Sequence, residues 1–245
     1  MNLAQIWRYP IKSHGSENLK SIDIHSGKTL PLDRTWAVVH DQSDADGSRW
    51  VPCRNFSRVA KAPQLAAIST TWTSDKKLEL SHPSIGKICI DPDLDSSKFI
   101  KWGSPLMPEG RAASVKLIRS VQTGMTDTDF PSISIGNLAS HREIEKKVGE
   151  KLSLLRWRCN LWIDGCKPWD EHKWIGKSLK IGEVTFKIKE EIVRCLATTA
   201  NPVSGERDVD TLGTLESLGK EDFTVAAIAT ASGKIKSGDT VEVIS

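Results

Sequence analysis

A cysteine at the end of a predicted strand is the residue best suited to chemistry in this chain. Cys195 follows an alternating segment that ends at Arg194, and a polar loop is predicted after it. A neighbouring cation favours the thiolate, which is the form of cysteine that binds soft metals or attacks an electrophile. The alternative interpretation is a small buried apolar residue, because that is the usual place of a free cysteine.

Arginines before an apolar segment form a second candidate site. Arg156, Arg158 and Asn160 precede residues 161–164, and they would face the same way if they lie in one strand. Arginine binds phosphate through two parallel hydrogen bonds, so this pattern is compatible with a phosphate site. A solvent-facing strand edge is the alternative interpretation.

Two further polar positions lie at the boundaries of predicted strands. Lys12 and Ser13 follow the first predicted strand, and Arg34 opens the third. Each position is weak alone, because charged residues at strand ends are usually solvated. Only tertiary folding could bring residues so far apart in sequence to one place.

The elements that would position these side chains are predicted to be mostly strands. Short runs of β-branched and apolar residues are bounded by turn residues, which is typical of a barrel or sandwich. Two segments alternate about a glycine and predict hairpins, at residues 179–188 and 234–244. The other predicted strands are residues 3–9, 19–24, 34–40, 77–80 and 87–90.

One helix and one boundary interrupt the predicted strands. The helix is expected within residues 136–152, where Ser140 and Glu143 have the spacing of a capping box. Residues 91–115 are rich in Pro, Gly, Ser and Asp, which predicts a loose boundary between two parts of the chain.

Composition excludes several classes of protein. Hydrophobic residues make up 38% and charged residues 27% of the 245 residues, as in ordinary globular proteins. The formal net charge of +3 gives no support to nucleic-acid binding. The sequence shows neither a membrane-length apolar run nor a secretory pattern, so we expect a cytoplasmic protein without a membrane or nucleic-acid partner. The cysteines lack zinc or redox spacing and are expected to be reduced: Cys53, Cys89, Cys159, Cys166 and Cys195.

Several short motifs occur in a specific order and spacing along the chain. They are Tyr9-Pro-Ile-Lys-Ser13, Asp33-Arg34-Thr-Trp36, Arg156-Trp-Arg-Cys-Asn160, Asp164-Gly165, Ile181-Gly-Glu-Val184 and Arg194-Cys-Leu-Ala-Thr-Thr199. Their order and spacing resemble those of MOSC proteins, a family named for the C-terminal part of molybdenum cofactor sulfurase. The pattern is most similar to that of the mitochondrial amidoxime-reducing component and its bacterial counterparts.

The resemblance implies a fold and a cofactor. The fold would be mainly β with a few helices, in two packed β-barrel-like parts. A MOSC N-terminal domain would span residues 1–105 and a MOSC domain residues 106–245. The cofactor would be molybdopterin-bound molybdenum, and Cys195 would be both the metal ligand and the catalytic residue. The implied cofactor-binding residues are Lys12, Ser13, Arg34, Ser134, Arg158 and Asn160.

The resemblance also implies an activity, with two alternatives. The chain would be an oxidoreductase that removes oxygen from a small N-hydroxylated compound. Its electrons would come from a separate iron–sulfur, flavin or haem protein. The alternatives are sulfur transfer through a persulfide on Cys195 and non-catalytic carriage of the cofactor. Val193 and Asn201 depart from the pattern of the reductases on the expected substrate side, so the physiological substrate is left open. A pyridoxal phosphate site is not supported, because no lysine is placed for a Schiff base.

Overall fold

The computed structural model describes residues 1–244, which contain mostly strands. The strands are β1 (Asn2–Arg8), β2 (Glu17–Leu19), β3 (Ser21–Ile24), β4 (Trp36–His40), β5 (Ser69–Ser74), β6 (Lys77–His82), β7 (Gly86–Ile90), β8 (Ser114–Arg119), β9 (Ile133–Asn137), β10 (Leu161–Asp164), β11 (Ser178–Ile181), β12 (Val184–Val193), β13 (Asp222–Ala229), β14 (Gly233–Lys236) and β15 (Val241–Ile244). The α-helices are α1 (Ser96–Gly103), α2 (Leu138–Val148) and α3 (Thr211–Ser217). Within these residues no helix has both the length and the apolar character needed to cross a membrane.

The largest sheet joins strands from both ends of the sequence. Its order is β15-β11-β12-β13-β9-β10-β1-β2, and all neighbours are antiparallel except β9 and β10. Three smaller sheets pair β14 with β3, β4 with β8, and β5-β6-β7. The mainly β prediction is confirmed, but none of the sheets formed by residues 1–244 is a closed barrel. The division of the chain at residue 105 stays a prediction, and β1 lies in the sheet that the later strands build.

The alternation in β12 explains how the chain delivers Cys195 to the surface. Val184, Phe186 and Ile188 are buried in the core of the large sheet, and Lys187 between them is exposed. The predicted hairpin of β11 and β12 is confirmed. Beyond Ile188 the pairing with β13 shifts register twice, and the alternating burial ends. The strand therefore leaves the core shortly before it reaches the cysteine.

The second predicted hairpin is wrong. β14 pairs with β3, and β15 pairs with β11, so the two strands lie in different sheets. The turn between them is held from outside: Ser237 N–H donates to the Lys20 carbonyl at 3.0 Å, and Gly238 N–H donates to the Leu3 carbonyl at 2.7 Å. These non-local bonds separate strands that the local pattern placed side by side. The predicted boundary at residues 91–115 likewise contains α1, which buries Phe99.

The helix predicted within residues 136–152 is confirmed as α2, but the capping box is wrong. Asn137 is the N-cap, and its side-chain oxygen accepts from the Ala139 N–H at 2.8 Å. Ser140 is buried and donates to the Glu171 carboxylate at 2.8 Å instead. The Asn137 amide nitrogen also donates to Glu171, at 2.8 Å, and to the Lys167 carbonyl, at 2.7 Å. Asn137 therefore links β9, α2 and the segment that contains Glu171.

We expect the Asn137→Ala variant to lose roughly 2–4 kcal/mol of unfolding free energy. About 1 kcal/mol reflects the lost cap, and the rest reflects buried acceptors left without a donor. The control is Asp210→Ala, which removes the exposed N-cap of α3 and should cost only about 1 kcal/mol. Urea denaturation of both variants measures the difference, and equal losses would contradict this role of Asn137.

Candidate functional site

A cavity of about 140 Å³, partly open to solvent, is lined by all the residues that the sequence analysis predicted as a site. Six of its lining side chains are cationic, and one, Asp127, is acidic, so the cavity should attract anions. The predicted residues that line it are Lys12, Ser13, Arg34, Ser134, Arg158, Asn160 and Cys195. Folding thus brings these residues together, and their individual roles stay predictions.

One buried carboxylate organises the part of the cavity that Arg34 and Arg158 line. Asp33 is fully buried and accepts from the Tyr9 backbone N–H at 2.8 Å and from the Asn160 side-chain amide at 3.1 Å. It also accepts from the Arg34 guanidinium, with which it forms an ion pair. The carboxylate therefore joins the end of β1, the chain just before β10, and Arg34.

Two arginines lie over the ring of a single tyrosine. The guanidinium carbons of Arg34 and Arg158 lie 4.9 Å and 4.4 Å from the centre of the Tyr9 ring. Tyr9 is buried, its hydroxyl donates to the Cys159 carbonyl at 3.1 Å, and burial raises the pKa of the phenol. The neutral ring attracts both cations, which offsets part of their mutual repulsion.

Arg158 is a cation with few partners. Its guanidinium donates to the Gly15 carbonyl at 3.3 Å, and no carboxylate of residues 1–244 lies within 4.0 Å of it. Withdrawal from water lowers the pKa of Arg158 to about 10, and the nearby positive charge of Arg34 adds to this effect. An anion bound beside it would stabilise its charged form.

The backbone is strained in this part of the cavity. Ser13, Arg34 and Arg158 have φ angles of 65°, 49° and 48°, in the left-handed region that disfavours residues with a Cβ. They are three of the six non-glycine residues with positive φ in the part of the chain that the structure describes. Such strain persists where surrounding contacts fix it, and it concentrates at functional sites. Here the Arg34 N–H donates to the Tyr9 carbonyl at 2.7 Å.

Lys12, Ser134 and Asn160 are held by protein contacts. Lys12 donates to the Met125 carbonyl at 2.7 Å and to Asp127 at 2.6 Å, and this ammonium lowers the pKa of Asp127. The Asn160 oxygen accepts from the Ser134 hydroxyl at 2.9 Å and from the Ser134 N–H at 3.1 Å. The Asn160 amide nitrogen has two acceptors of its own, so this side chain fixes neighbours more than it offers free groups.

Cys195 is exposed and lies where β12 leaves the sheet. Its carbonyl accepts from the Thr198 N–H at 3.1 Å, within a 3-10 turn that follows the cysteine. Within residues 1–244 the Arg194 side chain makes no hydrogen bond to the Cys195 thiol, so the effect of this cation on the thiolate stays a prediction. The Arg194 guanidinium instead donates to the Phe223 carbonyl and, at 3.0 Å, to the Trp157 carbonyl. Arg194 therefore ties the end of the strand to the fold.

Arg156 does not lie in a strand with Arg158 and Asn160, as the sequence analysis predicted. Residues 154–157 form a 3-10 turn, and Arg158 is left-handed, so the three polar residues do not share a strand face. Arg156 is buried, pairs with both oxygens of Asp208 at 2.7 Å, and donates to the Thr199 carbonyl at 3.2 Å. These bonds hold the segment after Cys195 against the body of the protein.

The sequence did not identify the supporting residues Tyr9, Asp33 and Asp127. The Tyr-Pro and Asp-Arg pairs were visible, but only as parts of motifs. Their contacts join positions more than 20 residues apart, as in the bond from Tyr9 to Asp33. No local pattern encodes such pairings.

Comparison with known proteins finds similarity along most of the chain. Residues 1–109 match the model of the MOSC N-terminal beta barrel domain, and residues 127–242 match that of the MOSC domain. Mitochondrial amidoxime-reducing component 1 of Mus musculus is 22% identical over 236 residues, covering 84% of this chain and 67% of that protein. The Homo sapiens protein of the same name is also 22% identical, over 230 residues, covering 83% of this chain and 67% of that protein.

A solved structure has a similar fold. The YuaD protein from Bacillus subtilis matches with a TM-score of 0.51 and 14% sequence identity. The match covers 100% of this chain and 95% of that one. It supports the fold and carries no information about activity.

We expect Asp33→Asn to lower the unfolding free energy by roughly 3–5 kcal/mol, because it leaves a buried guanidinium without its counter-charge. Asp127→Asn is the control: this carboxylate is 70% exposed, so its pair with Lys12 should contribute only about 0–1 kcal/mol. Denaturation of both variants at neutral pH gives the two values. A loss below about 1 kcal/mol for Asp33→Asn would contradict its role as the organising carboxylate.

Proposed function

The chain belongs to the MOSC-domain family, and on that premise we propose that its cavity binds the molybdenum cofactor, a pterin phosphate that carries molybdenum. The observation that carries the proposal is one cavity that contains both Arg158, which no carboxylate pairs with in residues 1–244, and the exposed thiol of Cys195. A guanidinium suits a phosphate, and a thiolate suits a soft metal.

The chemistry of the cavity fits this group. A bound dianionic phosphate needs several fixed cations, and Lys12, Arg34 and Arg158 line one cavity. Arg34 and Arg158 are positioned on one ring, as their distances of 4.9 Å and 4.4 Å from the centre of the Tyr9 ring show.

We assign the residues as follows. Lys12, Arg34 and Arg158 would bind the phosphate, and the hydroxyls of Ser13 and Ser134 would contact the pterin. Asn160 would belong to the same site mainly by orienting Ser134, whose hydroxyl donates to it at 2.9 Å. Cys195 would hold the metal through its sulfur.

The reaction we propose is reduction of a small N-hydroxylated compound. Both relatives described above carry the name amidoxime-reducing component. In this reaction an N-hydroxy compound takes up two electrons and two protons and gives the N–H compound and water. When bound, the cofactor supplies the two-electron chemistry, and the protein supplies ligation, orientation and electrostatics. The electrons would come from a separate donor protein of the iron–sulfur, flavin or haem type.

Sulfur transfer is the second candidate, and the exposure of Cys195 favours it. A persulfide must reach an acceptor, and this thiol lies at the surface after β12 rather than in the core. The same exposure serves a metal ligand that a substrate approaches. Measuring whether Cys195 of the purified protein carries sulfane sulfur distinguishes the two functions.

We expect Cys195→Ser to abolish benzamidoxime reduction and to lower molybdenum content, because a hydroxyl is a poor ligand for a soft metal. Cys89→Ser is the control, since that thiol is exposed and does not line the cavity. Both variants and the parent are made in a molybdopterin-competent host and assayed with an artificial electron donor.

The outcomes of this experiment distinguish the functions. Full activity in Cys195→Ser would contradict the mechanism. Bound molybdenum without turnover in the parent would favour a cofactor carrier. Sulfane sulfur on Cys195 in a parent protein without molybdenum would favour sulfur transfer.

A further inference from the structure

A second arginine in the cavity is also short of partners. Arg58 is half-buried and lines the cavity, and its guanidinium donates to the Cys53 sulfur at 3.1 Å. None of the carboxylates in residues 1–244 lies within 4.0 Å of it. The protein thus uses one of the five N–H donors that a guanidinium offers.

The backbone that carries Arg58 is fixed. The Arg58 carbonyl accepts from the N–H groups of Lys61 at 2.9 Å and Ala62 at 3.0 Å, which closes a turn. The next residue, Val59, is buried in the core of the N-terminal strands. The backbone at Arg58 is therefore held by a turn, and the Cys53 sulfur contacts the guanidinium.

The wall that carries Arg58 lies beside the loop that carries Cys195. The Arg207 guanidinium donates to the Ala60 carbonyl at 3.0 Å and also to the Leu196 carbonyl. One planar group thus joins the residue that follows Cys195 to the wall two residues beyond Arg58.

We propose that Arg58 binds a carboxylate of the substrate, so that the site favours N-hydroxylated compounds that carry an acidic group. This inference rests on the proposed function, because it takes the side of Cys195 as the substrate side. The carboxylate would accept from the free N–H groups of Arg58 while the N-hydroxy group lies toward Cys195. A paired carboxylate would also compensate the charge that the protein leaves unpaired there.

A carboxylate of the substrate is favoured over a phosphate of the cofactor. The phosphate is already assigned to Lys12, Arg34 and Arg158, and the last two lie over the Tyr9 ring. Arg58 comes from a different segment and is joined through Arg207 to the thiol loop. Apolar Val59 and Val193 also line the cavity and offer surface for the body of an organic substrate.

The test compares an acidic probe with a neutral one of the same core. Calorimetry measures the binding of para- and meta-carboxybenzamidoxime and of benzamidoxime to the parent holoprotein, and kcat/KM is measured for the same compounds. We expect the parent to bind the better acidic probe at least about ten-fold more tightly than benzamidoxime. Arg58→Gln should remove this preference, and Arg58→Lys should keep part of it.

Arg54→Gln is the matched control. It removes the same charge from the same segment, but its side chain is exposed and does not line the cavity, so the preference should stay. Equal binding of acidic and neutral probes by the parent overturns the proposal, and so does a preference that survives in Arg58→Gln. If Arg58→Gln loses molybdenum and Arg54→Gln keeps it, Arg58 belongs to the cofactor site, and the proposal is also overturned. If the parent binds the acidic probe more tightly in calorimetry but turns over none of the compounds, the carboxylate site is supported and the proposed reductase activity is rejected.

Discussion

Asp33 is a carboxylate buried away from water, so its charge must be paired within the protein. This pairing determines the geometry of the cavity. The Asp33 oxygens accept from the backbone of Tyr9, from Asn160 and from Arg34, which lie on three separate segments. Breaking a buried pair of this kind costs more than forming it gains, so the arrangement has little freedom. The two arginines over the Tyr9 ring depend on it, because one negative charge and one aromatic face offset their repulsion.

The cationic side chains of the cavity have different supports. Ser13, Arg34 and Arg158 have left-handed backbone, which is kept only where surrounding contacts fix it. Arg58 instead lies on the segment that Arg207 joins to the loop after Cys195, and Arg156 holds that loop through the Thr199 carbonyl and Asp208. A fixed backbone suits a resident group that must stay bound, and the neighbourhood of the exposed thiol suits a ligand that binds and dissociates.

Local sequence patterns predicted the features of the fold that depend on interactions between residues close in sequence. The alternation of β12 fixed its buried face and led to Cys195 at the strand end, and the motif order led to the residues that share the cavity. Long-range bonds decided the rest. β14 and β15 separate because Leu3 and Lys20 hold the turn between them, and Arg156 turns inward because Asp208 lies across from it. Arg58 carried no signal, because an unpaired arginine looks like any other until its surroundings are known.

The central claim is that the part of the cavity lined by Arg158 retains the pterin phosphate, and pterin content tests it most directly. The parent and Arg158→Gln are purified from a molybdopterin-competent host, and the pterin released on denaturation is oxidised and measured by fluorescence. The account predicts near-stoichiometric pterin in the parent. It predicts retention at least about ten-fold weaker in the variant after dialysis, because a charge-assisted bond to phosphate is lost. Equal pterin in both proteins, or none in the parent, would contradict it.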